Sequence, residues 1–142
     1  MFCKDKETSL RRLYRWYKLV MSLESTPQRL HMRGWRHNDR DCGTVPCAAG
    51  HASLDPEFQQ EGFKADQFGV PYCDRIGDAP CGITESFFGL PAVEAFFGIS
   101  PSQAQYICVP ARYDTPHPIT PAEVCKRIDE VIDDVKERPS HV

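Results

Sequence analysis

The chain has 142 residues, of which 41% are hydrophobic and 11% aromatic, and its formal net charge is −3 at pH 7. This length supports one sizeable core and is short for two ordinary domains. The composition excludes a disordered chain, and no apolar run approaches the roughly 20 residues that cross a bilayer. We therefore expect one domain over residues 1–142, frayed at 1–7 and 138–142, with no membrane partner.

The N-terminus and the cysteines favour a cytoplasmic protein. The opening Met-Phe-Cys-Lys-Asp-Lys-Glu has charges but lacks the apolar segment of a secretory signal. Seven cysteines are an odd number, which argues against a complete disulfide framework. We expect reduced thiols, and Cys3, Cys108 and Cys125 lie in patterns typical of small buried side chains.

The first predicted element is an amphipathic helix over residues 9–25. Its apolar stripe comprises Leu10, Leu13, Tyr14, Tyr17, Val20 and Met21. Its basic face comprises Arg11, Arg12, Arg15 and Lys18. This face is either the solvated side of a core helix or a contact surface for nucleic acid or an acidic protein, and Trp16 among the arginines keeps the second option open.

The next segment, residues 27–62, is predicted to contain a short strand, a loop and two helices. Pro27 ends the first helix, and residues 30–33 alternate like a short strand that leads to Gly34 and Trp35. Residues 36–41 are predicted to form a polar loop. Thr44 is predicted to cap a central helix with Val45 and Pro46 in its first turn, and Gly62 to end a short helical turn over residues 56–60.

The C-terminal half is predicted to be helical after a long irregular loop at 68–82. Helices are expected over residues 84–97, 101–108 and 121–137. Gly98 ends the first, while Ser100 and Thr120 begin capping boxes for the other two. The expected fold is therefore a mainly α, compact single domain that allows one short β-hairpin.

Two thiols and an imidazole form the first chemical candidate, because Cys42, Cys47 and His51 have the spacing C-x4-C-x3-H. Cys73 and Cys81 could complete a tetrahedral zinc site. No pair has the C-x2-C spacing typical of structural zinc, so packed free thiols are the alternative and no cofactor is expected.

A cysteine nucleophile is the second candidate. Asp-Cys-Gly before a helix of small residues resembles the catalytic turn of several cysteine protease families, and a helix N-terminus would stabilise the thiolate of Cys42. Only His31 and His37 precede it, and a downstream base would be His51 or His117. No Asn or Asp is identified to orient the base, so a thiol enzyme remains an alternative.

The charged surfaces form the third candidate. Residues 1–40 hold ten Lys/Arg against four Asp/Glu, whereas residues 41–142 hold seven against sixteen. This polarity can steer charged partners to either end, although folding can also bring the halves together and cancel it. The predicted contact residues are Arg11, Arg12, Arg15, Arg33, Arg36 and Arg40 on the basic side and Asp129, Glu130, Asp133 and Asp134 on the last helix.

Several segments also resemble a pattern found in small uncharacterised proteins of phages and bacterial mobile elements. They are residues 30–35, residues 42–52 with the motif Cys-Gly-Thr-x-x-Cys-x-x-Gly, residues 95–100 with Ala104, and residues 120–124 with Arg127 and Ile128. The resemblance covers about residues 30–130, and Pro46 departs from it because a helix former is more usual there.

The resemblance implies no enzymatic activity and favours a phage-type accessory protein in the cytoplasm of a bacterial host. Small proteins of that origin often bind and block a host protein or protein–nucleic acid complex, including CRISPR effectors, without chemistry. We therefore expect a non-catalytic inhibitor of the anti-CRISPR or anti-defence type. The alternatives are the thiol enzyme and a small zinc-stabilised module that binds nucleic acid directly through the basic helix.

Overall fold

The computed structural model describes residues 5–30, 32, 36–39, 43–67, 69–73, 87–115 and 117–138. The helices are α1 (Lys6–Met21), α2 (Ala48–Ser53), α3 (Pro56–Gln60), α4 (Leu90–Phe97), α5 (Pro101–Cys108) and α6 (Pro121–Lys136). The strands are β1 (Arg36–Asp39), β2 (Gly43–Pro46), β3 (Phe63–Ala65), β4 (Pro71–Cys73) and β5 (Phe87–Phe88). Single 3-10 turns lie at Pro27–Arg29 and Pro110–Arg112. The mainly α prediction is confirmed.

The strands form two antiparallel sheets. β1 and β2 make a hairpin in which Arg36 lies opposite Pro46 and Asp39 opposite Gly43. In the second sheet β4 lies between β3 and β5. The hairpin that the prediction allowed is present, but it lies at residues 36–46. The predicted strand at 30–33 is not found in its described part, because Leu30 ends a 3-10 turn.

The predicted start of the central helix at Thr44 is wrong. Thr44 and Val45 are β-branched residues that fit a strand, and they pair with Asn38 and His37 in the hairpin. Cys47 is instead the N-cap of α2, and its Sγ accepts a hydrogen bond from the amide of Gly50 at 3.4 Å. The helix therefore begins at Ala48, after the strand has ended.

The second sheet was not predicted. Residues 71–73 were assigned to an irregular loop, and residues 87–88 to the start of a helix. Gly89 separates β5 from α4 with φ 69°, and its amide donates to the carbonyl of Pro71 at 2.8 Å. Only glycine adopts this conformation readily, so strand and helix meet at a sharp corner.

The capping residues predicted for the end of α4 and for the starts of α5 and α6 are present in the structure. The capping boxes of Ser100 with Gln103 and of Thr120 with Glu123 are both formed. Gly98 ends α4 in the left-handed conformation at φ 67°. At the N-terminus, Asp5 caps α1 by accepting from the amide of Glu7 at 3.1 Å, so α1 begins inside the segment predicted to be frayed.

The long first and last helices, α1 and α6, pack most extensively against each other. The apolar stripe predicted for the last helix is buried, and it consists of Val124, Ile128, Val131, Ile132 and Val135. Beside this pair lies an aromatic cluster at the centre of the core. Trp16 of α1 stacks on Phe97 at a centroid distance of 4.4 Å, and Phe63 stacks on Phe96 at 4.8 Å.

The C-terminal carbonyls of α4 tie the two ends of the chain together. Ser9 donates its hydroxyl to the carbonyl of Phe97, and Arg12 donates to that of Phe96 at 2.6 Å. Arg138, just after α6, donates to the carbonyl of Gly98 at 2.6 Å. These carbonyls have no partner within the helix, so side chains from α1 and from the residue that follows the cap of α6 satisfy them.

Candidate functional site

One arginine on the basic face of α1 is directed into the molecule. Arg12 is 1% exposed, and its Nε donates to Glu61 at 2.8 Å while its guanidinium lies 3.9 Å from the ring centre of Phe96. Burial lowers the pKa of Arg12, and the hydrogen bond with Glu61 opposes that effect. The prediction that Arg12 contacts a partner is wrong, because the side chain is enclosed between α1, α4 and Glu61.

Arg11 and Arg15 pair with acidic residues around α3. Arg11 donates two hydrogen bonds to Glu61, at 3.0 and 2.9 Å, and Arg15 donates two to Asp55, at 2.7 and 2.8 Å. The bond from Arg15 lowers the pKa of Asp55. Folding thus neutralises part of the charge polarity of the sequence. Both arginine side chains remain partly exposed, at 48% and 38%, so their predicted partner contacts remain predictions.

Trp16 was the main argument for a nucleic-acid surface on α1, and that interpretation is wrong. The ring is fully buried, and its Nε1 donates to the carbonyl of Ala48 at 3.0 Å. An indole held in this way has no face available for a nucleic-acid base. The remaining predicted arginines are not placed by the structure, since Arg33 and Arg40 lie outside the described residues and only the backbone of Arg36 is described.

Cys47 is held as a structural thiol. Its side chain is 3% exposed, and burial raises its pKa to about 11. A thiol at a helix N-terminus would gain thiolate character if it were accessible, but burial outweighs that effect here. Cys108 and Cys125 are buried as the sequence predicted.

His51, one turn after Cys47, is half-buried and faces a backbone carbonyl. Its Nε2 lies 2.6 Å from the oxygen of Arg29, and because a carbonyl only accepts, Nε2 must carry the proton. Burial lowers the pKa of His51. Nε2 is therefore already occupied, and Nδ1 is the ring nitrogen that keeps a lone pair for a metal or a proton.

The predicted zinc ligands are not brought together in the part of the chain that the structure describes. Within that part, no three His, Cys, Asp or Glu side chains lie where they could share a metal ion. Cys73 is buried in β4, while Cys42 and Cys81 lie outside the described residues. The zinc alternative and the proposed nucleophile Cys42 therefore stay predictions.

The acidic face of α6 is at the surface. It consists of Asp129, Glu130, Asp133 and Asp134, all of which are exposed. No ion pair joins any of the four to another described residue. This helix is anchored along its other side and by Lys6, which donates to the carbonyls of Lys136 and Arg138 at 2.6 and 2.8 Å. The carboxylates thus project from a fixed backbone.

A groove of about 480 Å³ lies between α5 and α6 beside this acidic face. Ser102, Gln103 and Tyr106 of α5 form one wall. Glu130, Val131 and Asp134 of α6 form the other. Arg112 lines the same groove, and its Nη2 donates to Gln105 at 2.6 Å. The volume falls in the range of ligand pockets, and most of the lining residues have polar or charged side chains, although apolar atoms make up more of the wall surface.

Two contacts across the groove hold its walls in place. The hydroxyl of Tyr106 donates to Glu130, which raises the pKa of the phenol. Nε2 of Gln103 lies 3.5 Å from Asp134. Behind this wall, the guanidinium of Arg127 lies between two rings, 4.2 Å from the centre of Tyr106 and 3.7 Å from that of Tyr113.

Sequence reasoning missed Tyr106, Gln103 and Arg112 as groove residues. The capping box marked Gln103 as a helix-start residue, and Tyr106 lies one helical turn further along α5. Nothing in the sequence places α5 beside the acidic face of α6, because that depends on how the connection over residues 109–120 returns the chain.

None of the described helices combines the length and the hydropathy required of a membrane-spanning segment. Comparisons of the chain with protein-family models, with curated proteins and with solved structures find no match.

Proposed function

We propose that this protein is a non-catalytic binding module that docks through the acidic face of α6 onto a basic surface of a partner. In this proposal it is a phage-type accessory protein, and the partner is a host protein machine, such as a CRISPR effector or another defence complex. The module inhibits or modulates that machine by occupying a surface that otherwise holds nucleic acid.

One observation carries the proposal: four exposed carboxylates on α6 have no ion-pair partner among the described residues. Elsewhere on the molecule, arginines and carboxylates pair with one another. A surface of one charge sign attracts a surface of the opposite sign and speeds the encounter. Surfaces that bind nucleic acid are rich in Lys and Arg, so they are suitable partners for this face.

The test is inhibition of purified CRISPR effector complexes, measured as the loss of target-DNA binding when the protein is added. We expect the double variant Asp129→Lys/Asp133→Lys to lose inhibition, since it reverses the charge of the face. A matched control is Glu24→Lys/Asp114→Lys, which changes two exposed acidic residues outside α6 and makes the same change in net charge.

The control should inhibit like the parent, and circular dichroism should show that both variants are folded. Inhibition should weaken as salt rises, because charge attraction between surfaces is screened. If the α6 variant inhibits as well as the parent, or if no effector complex is inhibited, the proposal is wrong.

A further inference from the structure

We propose that the groove between α5 and α6 receives an arginine side chain of the partner. The inference rests on the proposed function, because it names the partner group that the acidic face recognises. It follows from the acceptors in the groove, from its shape and from how this chain already holds a guanidinium nearby.

The groove offers hydrogen-bond acceptors that are not fully used. An ionised carboxylate can accept about four hydrogen bonds. Glu130 accepts one from Tyr106. Asp134 has one hydrogen-bond contact, to Gln103 at 3.5 Å, and an electrostatic attraction to Arg138. Because the two residues are one helical turn apart, their carboxylates lie along the same wall. The two carboxylates can therefore accept further hydrogen bonds, and a ligand with several hydrogen-bond donors would use them.

A cation fits the charge of the groove better than an anion. Two of the lining residues are carboxylates, and Arg112 is the one cation among them. Arg112 already donates to Gln105. The exposed Asp129 and Asp133 on the same helix add further negative charge next to the opening. A phosphate group entering here would meet repulsion from α6, which argues against direct binding of nucleic acid.

Among cations, guanidinium matches the groove better than ammonium. It is planar and presents five donors in a fixed fork that binds carboxylates through paired hydrogen bonds. It also stacks on aromatic rings, and the chain's own Arg127 does so against Tyr106 and Tyr113. Tyr106 contributes both a ring and a hydroxyl to the groove wall. The volume of about 480 Å³ is sufficient for a side chain of this length.

The experiment is an NMR titration of the full chain with N-acetyl-arginine methylamide, followed through the ring signals of Tyr106. The matched probe is N-acetyl-citrulline methylamide, which has nearly the same shape but no charge. We expect saturable shifts with the arginine probe, with a Kd on the order of 1 mM since a single side chain buries little surface. The citrulline probe should bind at least about tenfold more weakly.

Two double variants locate the site. Glu130→Gln/Asp134→Asn removes both carboxylate charges of the groove and should abolish the shifts, whereas Glu7→Gln/Glu24→Gln removes two charges from exposed residues outside α6 and should retain them. If citrulline binds as well as arginine, if the groove variant keeps its affinity, or if neither probe binds, the inference is wrong. The comparison of the two probes on the parent protein decides the matter even if the groove variant does not fold.

The outcome separates this inference from the proposed function. If the groove does not bind arginine but Asp129→Lys/Asp133→Lys still abolishes inhibition of the effector, the acidic face docks without the groove. If arginine binds in the groove but no effector complex is inhibited, the groove site stands as a guanidinium site and the proposed host-machine function fails.

Discussion

The basic face of α1 and the acidic face of α6 belong to two helices that pack together, yet their charges have different environments. On α1, Arg12 is buried, and Arg11 and Arg15 pair with carboxylates in and around α3. On α6, the carboxylates point to solvent without an ion-pair partner among the described residues. A charged helix face therefore stabilises the fold when the tertiary structure places residues of opposite charge against it. A face left unpaired is the better candidate for binding.

The largest expected effect is at Arg12. We expect Arg12→Met to lower the free energy of unfolding by about 3 kcal/mol, because breaking a buried ion pair leaves its partners unsatisfied. Arg11→Met is the matched control on the same carboxylate, and its exposed pair should cost about 0.5 kcal/mol or less. Urea unfolding followed by circular dichroism measures both. Equal losses would show that burial does not distinguish the two arginines.

A smaller effect is expected at Asp55, which caps α3 and pairs with Arg15. Asp55→Asn keeps an acceptor for the cap but removes the charge, and should cost about 1.5 kcal/mol at pH 7.

The pH dependence of the free energy of unfolding also tests the ion pair between Asp55 and Arg15. The pKa values of Asp55 and Glu61 are both lowered in the folded protein. For Asp55 the main cause is the bond from Arg15, whereas for Glu61 burial opposes ionisation and the bonds from Arg11 and Arg12 outweigh it. The unfolded chain therefore binds protons more readily. The stabilisation is complete above the unfolded pKa values of about 4 and is lost as pH falls through the lower folded values. The Asp55→Asn variant should lose less stability than the parent between pH 6 and pH 3, and an identical decline in both would contradict the assignment.

A third prediction concerns the cap that orients α6 and its acidic face. Thr120→Ala removes the hydroxyl that accepts from the amide of Glu123, and we expect a loss of about 1 kcal/mol. Thr120→Asn is the control, because asparagine is also a good N-cap residue. Thermal unfolding of the two variants measures how much stability each substitution removes. If alanine is tolerated as well as asparagine, packing alone holds the start of α6.

The smallest effect is expected on α6 itself. Asp129→Asn/Asp133→Asn should change the free energy of unfolding by no more than about 0.5 kcal/mol, since exposed side chains without a hydrogen bond or ion pair to another described residue contribute little to stability. Urea unfolding of this double variant and of Arg12→Met compares how much the acidic face of α6 and the basic face of α1 contribute to the free energy of unfolding. A loss comparable to that of Arg12→Met would mean that the acidic face is structural too, and the contrast between the helices would disappear.

Prediction from the sequence succeeded and failed for identifiable reasons. The capping boxes at Ser100 and Thr120 and the stop at Gly98 were predictable, because each acts within a few residues of backbone. Thr44 was misplaced because a strong N-cap residue is also a good strand residue, and the partner strand decided between them. Cys42, Cys81, Arg33 and Arg40 lie outside the described residues, so their predicted roles are unchanged.

The sequence by itself determined the bounds of α3, α5 and α6 to within one residue and which face of α6 is apolar, since these depend on local caps and on a 3.6-residue period. It did not determine which arginines on α1 are buried and which carboxylates they pair with. Their carboxylate partners lie 40 to 50 residues further along the chain, and only the packing of α3 beside α1 brings them into contact. The groove beside the acidic face likewise exists only because tertiary packing places α5 against α6, bringing Tyr106 to Glu130 across 24 residues of sequence.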